Sequence, residues 1–291
     1  MKRKTTGELI FQVFNLIFLT VLVSLILVLV LNIMALSVSN REAILSRAVT
    51  IFPVGFNAGA YREVISHFRF IRSLINTVGI TVAGTVLAIV ITLMVAYSLT
   101  KDFVGKKFVT YFFIFTMYFG GGLIPTYIVY TNYYNLRNNM LVLFLPGLVS
   151  TFYIIVMRSQ IDALPSEVFD AATIDGAKET QMLLRIVLPM ISPTIAAISM
   201  FFALGFWNSW FSVMVYITNE DMWTLQYFLR VVVLSRLANT EDASQFVREV
   251  KIPEENFRMA AIVLVAAPIV MIYPFVQKYF VKGILSGAVK G

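Results

Sequence analysis

The ionisable residues best placed to act on something outside the chain sit in one short stretch. Residues 167–189 read EVFDAATIDGAKETQMLLRIVLP and carry Glu167, Asp170, Asp175, Lys178, Glu179 and Arg185, with Gly176 at their middle. Their chemistry is that of ionic and close-packed contact. Bond-making chemistry has no comparable candidate, because no nucleophile–base pair and no carboxylate pair lies within the apolar runs. There is no cysteine, which removes disulfides and thiolate metal sites, and the single histidine, His67, has no partner at metal-ligand spacing. No G-x-x-x-x-G-K-[S/T] phosphate loop occurs, since Gly105-Lys106-Lys107 lacks both the upstream glycine and the hydroxyl residue. The chain is not expected to hydrolyse ATP or to be an enzyme.

The elements that must hold the charged stretch can be read from its small and special residues. Pro165 suits a first helical turn, where its missing N–H costs nothing. Glu167 and Asp170 favour the positive end of the helix dipole. Ala171 and Ala172 form helix well and let another surface come close. Gly176 fits the left-handed residue that ends a helix. A second short helix is expected from Glu179, and Pro189 is expected to bend the chain into the next apolar run. Two readings of this helix–turn–helix fit the residues, a loop lying on the membrane surface and a docking element for another protein.

Around it the chain is apolar. Of 291 residues, 59% are hydrophobic and only 13% charged, well below the quarter usual for soluble domains. Charge is missing between Glu8 and Arg41, and then over residues 73–100, 108–136, 138–157, 186–219 and 259–277. Each run reaches the roughly 20 residues that span a bilayer as helix. The expectation is an all-α membrane protein of six transmembrane helices, with both termini on one side. The first run is too long for a signal core and is read as a retained helix.

Boundaries follow from the charges. An N-terminal segment covers residues 1–8, the first span 9–39, and an outer segment 40–72. A core of five spans fills 73–285, interrupted by an inner loop at 159–185 and an outer segment at 218–257, and residues 286–291 form a tail. With the N-terminus inside, Lys and Arg divide twelve inside to eleven outside, and nine of the ten lysines fall inside. The short loop holding Lys101, Lys106 and Lys107 weighs most, so cytoplasmic termini are expected. The net charge of +7 is accounted for by anchoring to membrane lipids and calls for no nucleic acid.

Aromatic and amide residues gather toward the outer half of the spans. Trp207, Asn208 and Trp210 follow one another, Tyr118 and Tyr127 flank FGGGLIP, and Asn76 lies in the second run. They could line a pathway, stacking on and hydrogen-bonding a sugar. They also fit an interfacial belt, helix packing and, for Asn76, an interhelical hydrogen bond. The charge-free spans show no proton relay; FGGGLIP, a broken-helix motif, keeps a secondary carrier open as an alternative.

The stretch DAATIDGAKETQMLLRIVLP resembles the signature loop of ATP-binding-cassette (ABC) importer permeases. In that family Glu-Ala-Ala is followed after three residues by Gly, then after nine by Ile, one residue, and Leu-Pro. Here Asp170-Ala171-Ala172, Gly176, Ile186 and Leu188-Pro189 match, with Asp in place of Glu and Lys178 where many relatives carry a capping Ser or Thr. RSLINTV (72–78), FGGGLIPTY (119–127), WNSWF (207–211) and LQYFLR (225–230) resemble the carbohydrate branch, extending the likeness over about residues 72–291. Within that branch they are similar to maltose-type second permeases and to permeases for polysaccharide-derived oligosaccharides.

The resemblance implies a type I ABC importer permease fold in the cytoplasmic membrane. It implies that Glu167, Asp170, Ala171, Ala172, Gly176, Ile186, Leu188 and Pro189 dock a separate cytoplasmic ATPase dimer, on which ATP and Mg would be bound. A second permease subunit and an extracytoplasmic substrate-binding protein complete the implied assembly, which would import oligosaccharides by alternating access. A permease for a non-sugar solute stays open as a further alternative.

Overall fold

The computed structural model describes residues 6–234 and 254–288, with side chains over 7–234 and 255–274. Lys2, Arg3 and Lys4, residues 235–253 of the second outer segment and the tail after 288 lie outside the described residues. All regular structure among the described residues is helical. The chain divides into two compact units, one within residues 1–68 and 231–267, the other within 69–230 and 268–291.

The first unit is built on α1 (Thr6–Ser37). This helix is apolar all round, and its side chains from Leu9 to Val30 stay exposed, as suits a helix surrounded by lipid or protein. The chain beyond its end is pinned back onto it. Ser39 Oγ donates to Ala35 O at 2.6 Å and accepts from Val54 N at 3.1 Å. Asn40 caps α2 (Arg41–Leu45), its Oδ1 accepting from Ala43 N at 2.9 Å. Tyr61, on α3 (Gly59–Ser66), shares a 2.7 Å hydrogen bond with Ser37 Oγ. Ala35, Ala43, Ile44 and Val49 form a small core beneath, and Asn256 Nδ2 donates to Leu36 O at 2.8 Å. Much of the first outer segment is thus a packed structure.

The second unit starts with α4 (Phe68–Thr100), followed by α5 (Lys106–Tyr118) and α6 (Leu123–Ile128), which runs on as a π turn over Val129–Tyr133. Two 3-10 turns, Met140–Leu143 and Leu145–Gly147, precede α7 (Thr151–Asp162). Next come α8 (Ser166–Ile174), α9 (Glu179–Gln181), a π segment over Met182–Val187, and α10 (Leu188–Met190). α11 (Ser192–Trp207), α12 (Phe211–Tyr216) and α13 (Leu225–Leu234) follow, residues 231–234 of α13 counting with the first unit, and α14 (Glu254–Ala288) joins the second unit from residue 268.

Among the described residues three helices are long and apolar enough to cross a membrane, Gly7–Ser37, Phe68–Thr100 and Glu255–Pro274; the number reaches six if three bent pairs each count as one span. The pairs bend by 112° between α5 and α6, 46° before α7 and 83° between α10 and α11. The glycines of FGGG account for the first, Gly122 holding φ +79°.

The 83° bend corrects the expectation for Pro189. Pro189 sits inside α10, and the chain turns at Ile191, where Pro193 begins α11. Pro193 has no N–H to offer the carbonyl four residues back, so the ladder breaks there. The widened π segment just before Pro189 absorbs that residue's own missing donor.

One close approach fixes the packing of three elements. Phe206 of α11 lies between Gly84 of α4 and Gly147, and a Cβ on those glycines would come within 2.9 and 3.0 Å of its ring. Tyr153 of α7 packs edge-on against Phe202 at 4.8 Å, holding α7 to α11.

Candidate functional site

In the second unit, α8 carries its acidic side chains on the surface. Glu167 lies in its first turn and Asp170 one turn on, both exposed. The helix ends in a full Schellman motif. Gly176, at φ +73°, donates to Thr173 O at 3.0 Å, and Ala177 N donates to Ala172 O at 2.9 Å. Of the alanine pair, Ala171 faces out, while Ala172 is buried and gives its carbonyl to the turn. The tip also displays Ile174 at 86% exposure, an apolar side chain open to contact.

The second helix begins without a hydroxyl cap. Gln181 Oε1 accepts from Lys178 N at 2.9 Å, so the third residue of the helix supplies the reciprocal half of a capping box. Sequence reasoning left this cap unassigned, although a Gln three residues after the N-cap was its signal.

Sequence reasoning also gave no role to a latch. Tyr97, buried near the end of α4, donates its hydroxyl to Glu179 Oε2. Lys101 Nζ reaches the same carboxylate at 2.9 Å and lies 4.9 Å over the Tyr97 ring. Burial works against the Lys101 charge, but the hydrogen bond to Glu179 and its neighbours' charges outweigh it, and the pKa is raised. The turn between α8 and α9 is therefore tied to α4 as well as continuing into α10 and α11. In that continuation Ile186 is half-buried, and Leu188 and Pro189 face outward.

The six residues expected to line a pathway are not brought into one site. Asn76 is buried and spends its amide on the Asp221 and Trp223 carbonyls, at 2.7 and 3.0 Å. Arg69 pairs with Glu220 at 2.7 Å beside it, so this end of α4 anchors the turn at 220–223. Tyr118 is exposed, and Tyr127 stacks on Tyr216 at 5.6 Å. Trp207 is buried against a cavity of about 240 Å³ shared with Thr81, Pro268 and Tyr273, and its indole N–H has no hydrogen-bond partner among the described residues. Asn208 and Trp210 do adjoin, at the break between α11 and α12. Asn208 accepts from Gln226 Nε2 at 3.3 Å, and Trp210 carries the guanidinium of Arg230 at 4.0 Å above its ring. Among the described residues no group of three or more His, Asp or Glu could hold a metal ion.

Residues 51–286 match the family model described as the binding-protein-dependent transport system inner membrane component. Protein LplC of Bacillus subtilis is 36% identical over 99% of this chain and 97% of its own. The polygalacturonan/rhamnogalacturonan transport system permease protein YtcP of Bacillus subtilis is 32% identical over 90% of this chain and 91% of its own. A chain in the crystal structure of a bacterial ABC transporter involved in the import of the acidic polysaccharide alginate superposes with a TM-score of 0.87. Its identity is 27%, with 96% of this chain and 100% of that chain covered.

Proposed function

This chain belongs to the binding-protein-dependent transport system inner membrane components, and from that premise we propose that it passes oligosaccharides inward through an ATP-driven importer. It is a multi-pass component of the inner membrane. In the proposed assembly a second permease completes the pathway, a cytoplasmic ATPase dimer binds ATP and Mg, and an extracytoplasmic binding protein delivers the sugar. Both termini lie in the cytoplasm. The observation that carries the reading is the tip formed by α8 and Gly176. Its C-terminal end is fixed by the Schellman turn, its outer side is acidic and small, and exposed Ile174 tops it. A rigid, displayed surface of this kind is what a partner's cleft can grip and move. ATP binding would close the ATPase dimer and shift this tip, and the connected helices would then tilt to alternate access.

The names of the relatives support a carbohydrate substrate, and the matching motifs run through the membrane core. The test uses the natural absence of cysteine. Ile174→Cys, in the assembled transporter, should cross-link to a cysteine placed in the cleft of the ATPase, and proteoliposomes should take up oligosaccharide only with ATP. Uptake that needs neither ATP nor an ATPase subunit would return the chain to the class of secondary carriers.

A further inference from the structure

The break between α11 and α12 meets α13 in a polar and aromatic cluster apart from the docking tip. α13 buries Leu225 and Phe228, the latter edge-on to Phe70 at 5.9 Å. Its start is locked, because Leu225 N donates to Thr77 Oγ1 at 2.7 Å and Thr224 Oγ1 donates to Ser209 O at 2.6 Å. Gln226 and Arg230, four residues apart, therefore share one face of a fixed helix. Arg230 is exposed and lies 4.0 Å over Trp210, and no carboxylate among the described residues pairs with it.

A guanidinium laid on an aromatic face keeps its N–H edge free, and that edge matches a carboxylate with two parallel hydrogen bonds. Beside it stand the Gln226 and Asn208 amides, which suit hydroxyl groups, and the half-buried indole of Trp210, which suits the apolar face of a ring. We propose that Arg230, with Trp210, Gln226 and Asn208, forms a site for a uronate unit, so that the transported oligosaccharide is acidic. This rests on the transport reading above and narrows its substrate to carboxylate-bearing sugars. Packing alone would explain the stacked pair, but it gives no reason for the cation to face outward with no acidic partner among the described residues.

The test compares uptake of trigalacturonate and of neutral galactotriose by proteoliposomes holding the whole transporter. Wild-type, Arg230→Gln and Arg230→Lys complexes are matched by the amount of ATPase that co-purifies. Arg230→Gln should lower trigalacturonate uptake about tenfold or more, as loss of a charge-assisted pair implies. Arg230→Lys should fall between, keeping charge without the planar fork, and galactotriose uptake, where measurable, should change much less. Wild-type rate in Arg230→Gln would overturn the proposal. So would equal loss for both sugars, which marks a packing or lipid-facing role. A wild-type transporter that moves galactotriose but not trigalacturonate overturns the acidic substrate alone. One that moves no sugar with ATP indicts the transport reading itself.

Discussion

Gly176 and Gly84 are both glycines that resist replacement, for opposite reasons. At Gly176 a Cβ would meet nothing within 4 Å, so the left-handed backbone is the whole constraint. Gly176→Val should cost about 1–2 kcal/mol of local strain and distort the tip. Transport should collapse while membrane insertion, followed by fractionation, stays normal. At Gly84 the constraint is crowding by Phe206. Gly84→Ala should lower thermal stability in detergent by about 1–3 kcal/mol, and Phe206→Leu in the same chain should recover part of it. Gly176 was legible in the sequence because a helix stop leaves a local pattern of charges, alanines and glycine. Gly84 and Gly147 were not, since their reason is a single ring far along the chain.

Single elements divide the work of the inner loop. In the proposed assembly α8 would present the contact surface, and the Glu179 latch would decide which helices follow when that surface moves. With the latch closed, displacement of the tip reaches α4 through Tyr97 and Lys101, and α11 through the backbone. Glu179→Ala should therefore leave the ATPase bound and hydrolysing while sugar uptake per ATP drops severalfold. Because the pair is partly exposed, overall stability should change by no more than about 1 kcal/mol. Exchanging the charges, Lys101→Glu with Glu179→Lys, should restore part of the coupling, read as the ratio of transport to hydrolysis. The helix–turn–helix itself was legible from spacing and capping rules. The latch was not, because its partners stand 82 residues apart and hydrogen bonds of that range leave no periodic trace. For the same reason the amide of Asn76, open to several uses in the sequence, finds its employment only when the turn carrying Asp221 folds over it.

For the whole molecule, the proposed orientation makes a labelling prediction that the cysteine-free background keeps clean. Phe56→Cys, exposed in the first outer segment, should react with an impermeant maleimide in intact cells. Val104→Cys, exposed in the loop after α4, should react only after permeabilisation. The reverse pattern would invert every inside and outside assignment. Six apolar runs could be counted in the sequence, but the sharp bends could not be measured there, because an angle depends on what packs against the break. The bend between α5 and α6 has a cost of its own. Gly120 and Gly121 lie exposed and outside any helix in the middle of an apolar run, and hydrocarbon cannot satisfy their peptide groups. A chain left alone in the bilayer would keep that wound open, a mark that proteolytic surveillance can read. Its abundance in the cell should thus follow that of the proposed second permease, falling when that subunit is withheld even though its own synthesis continues.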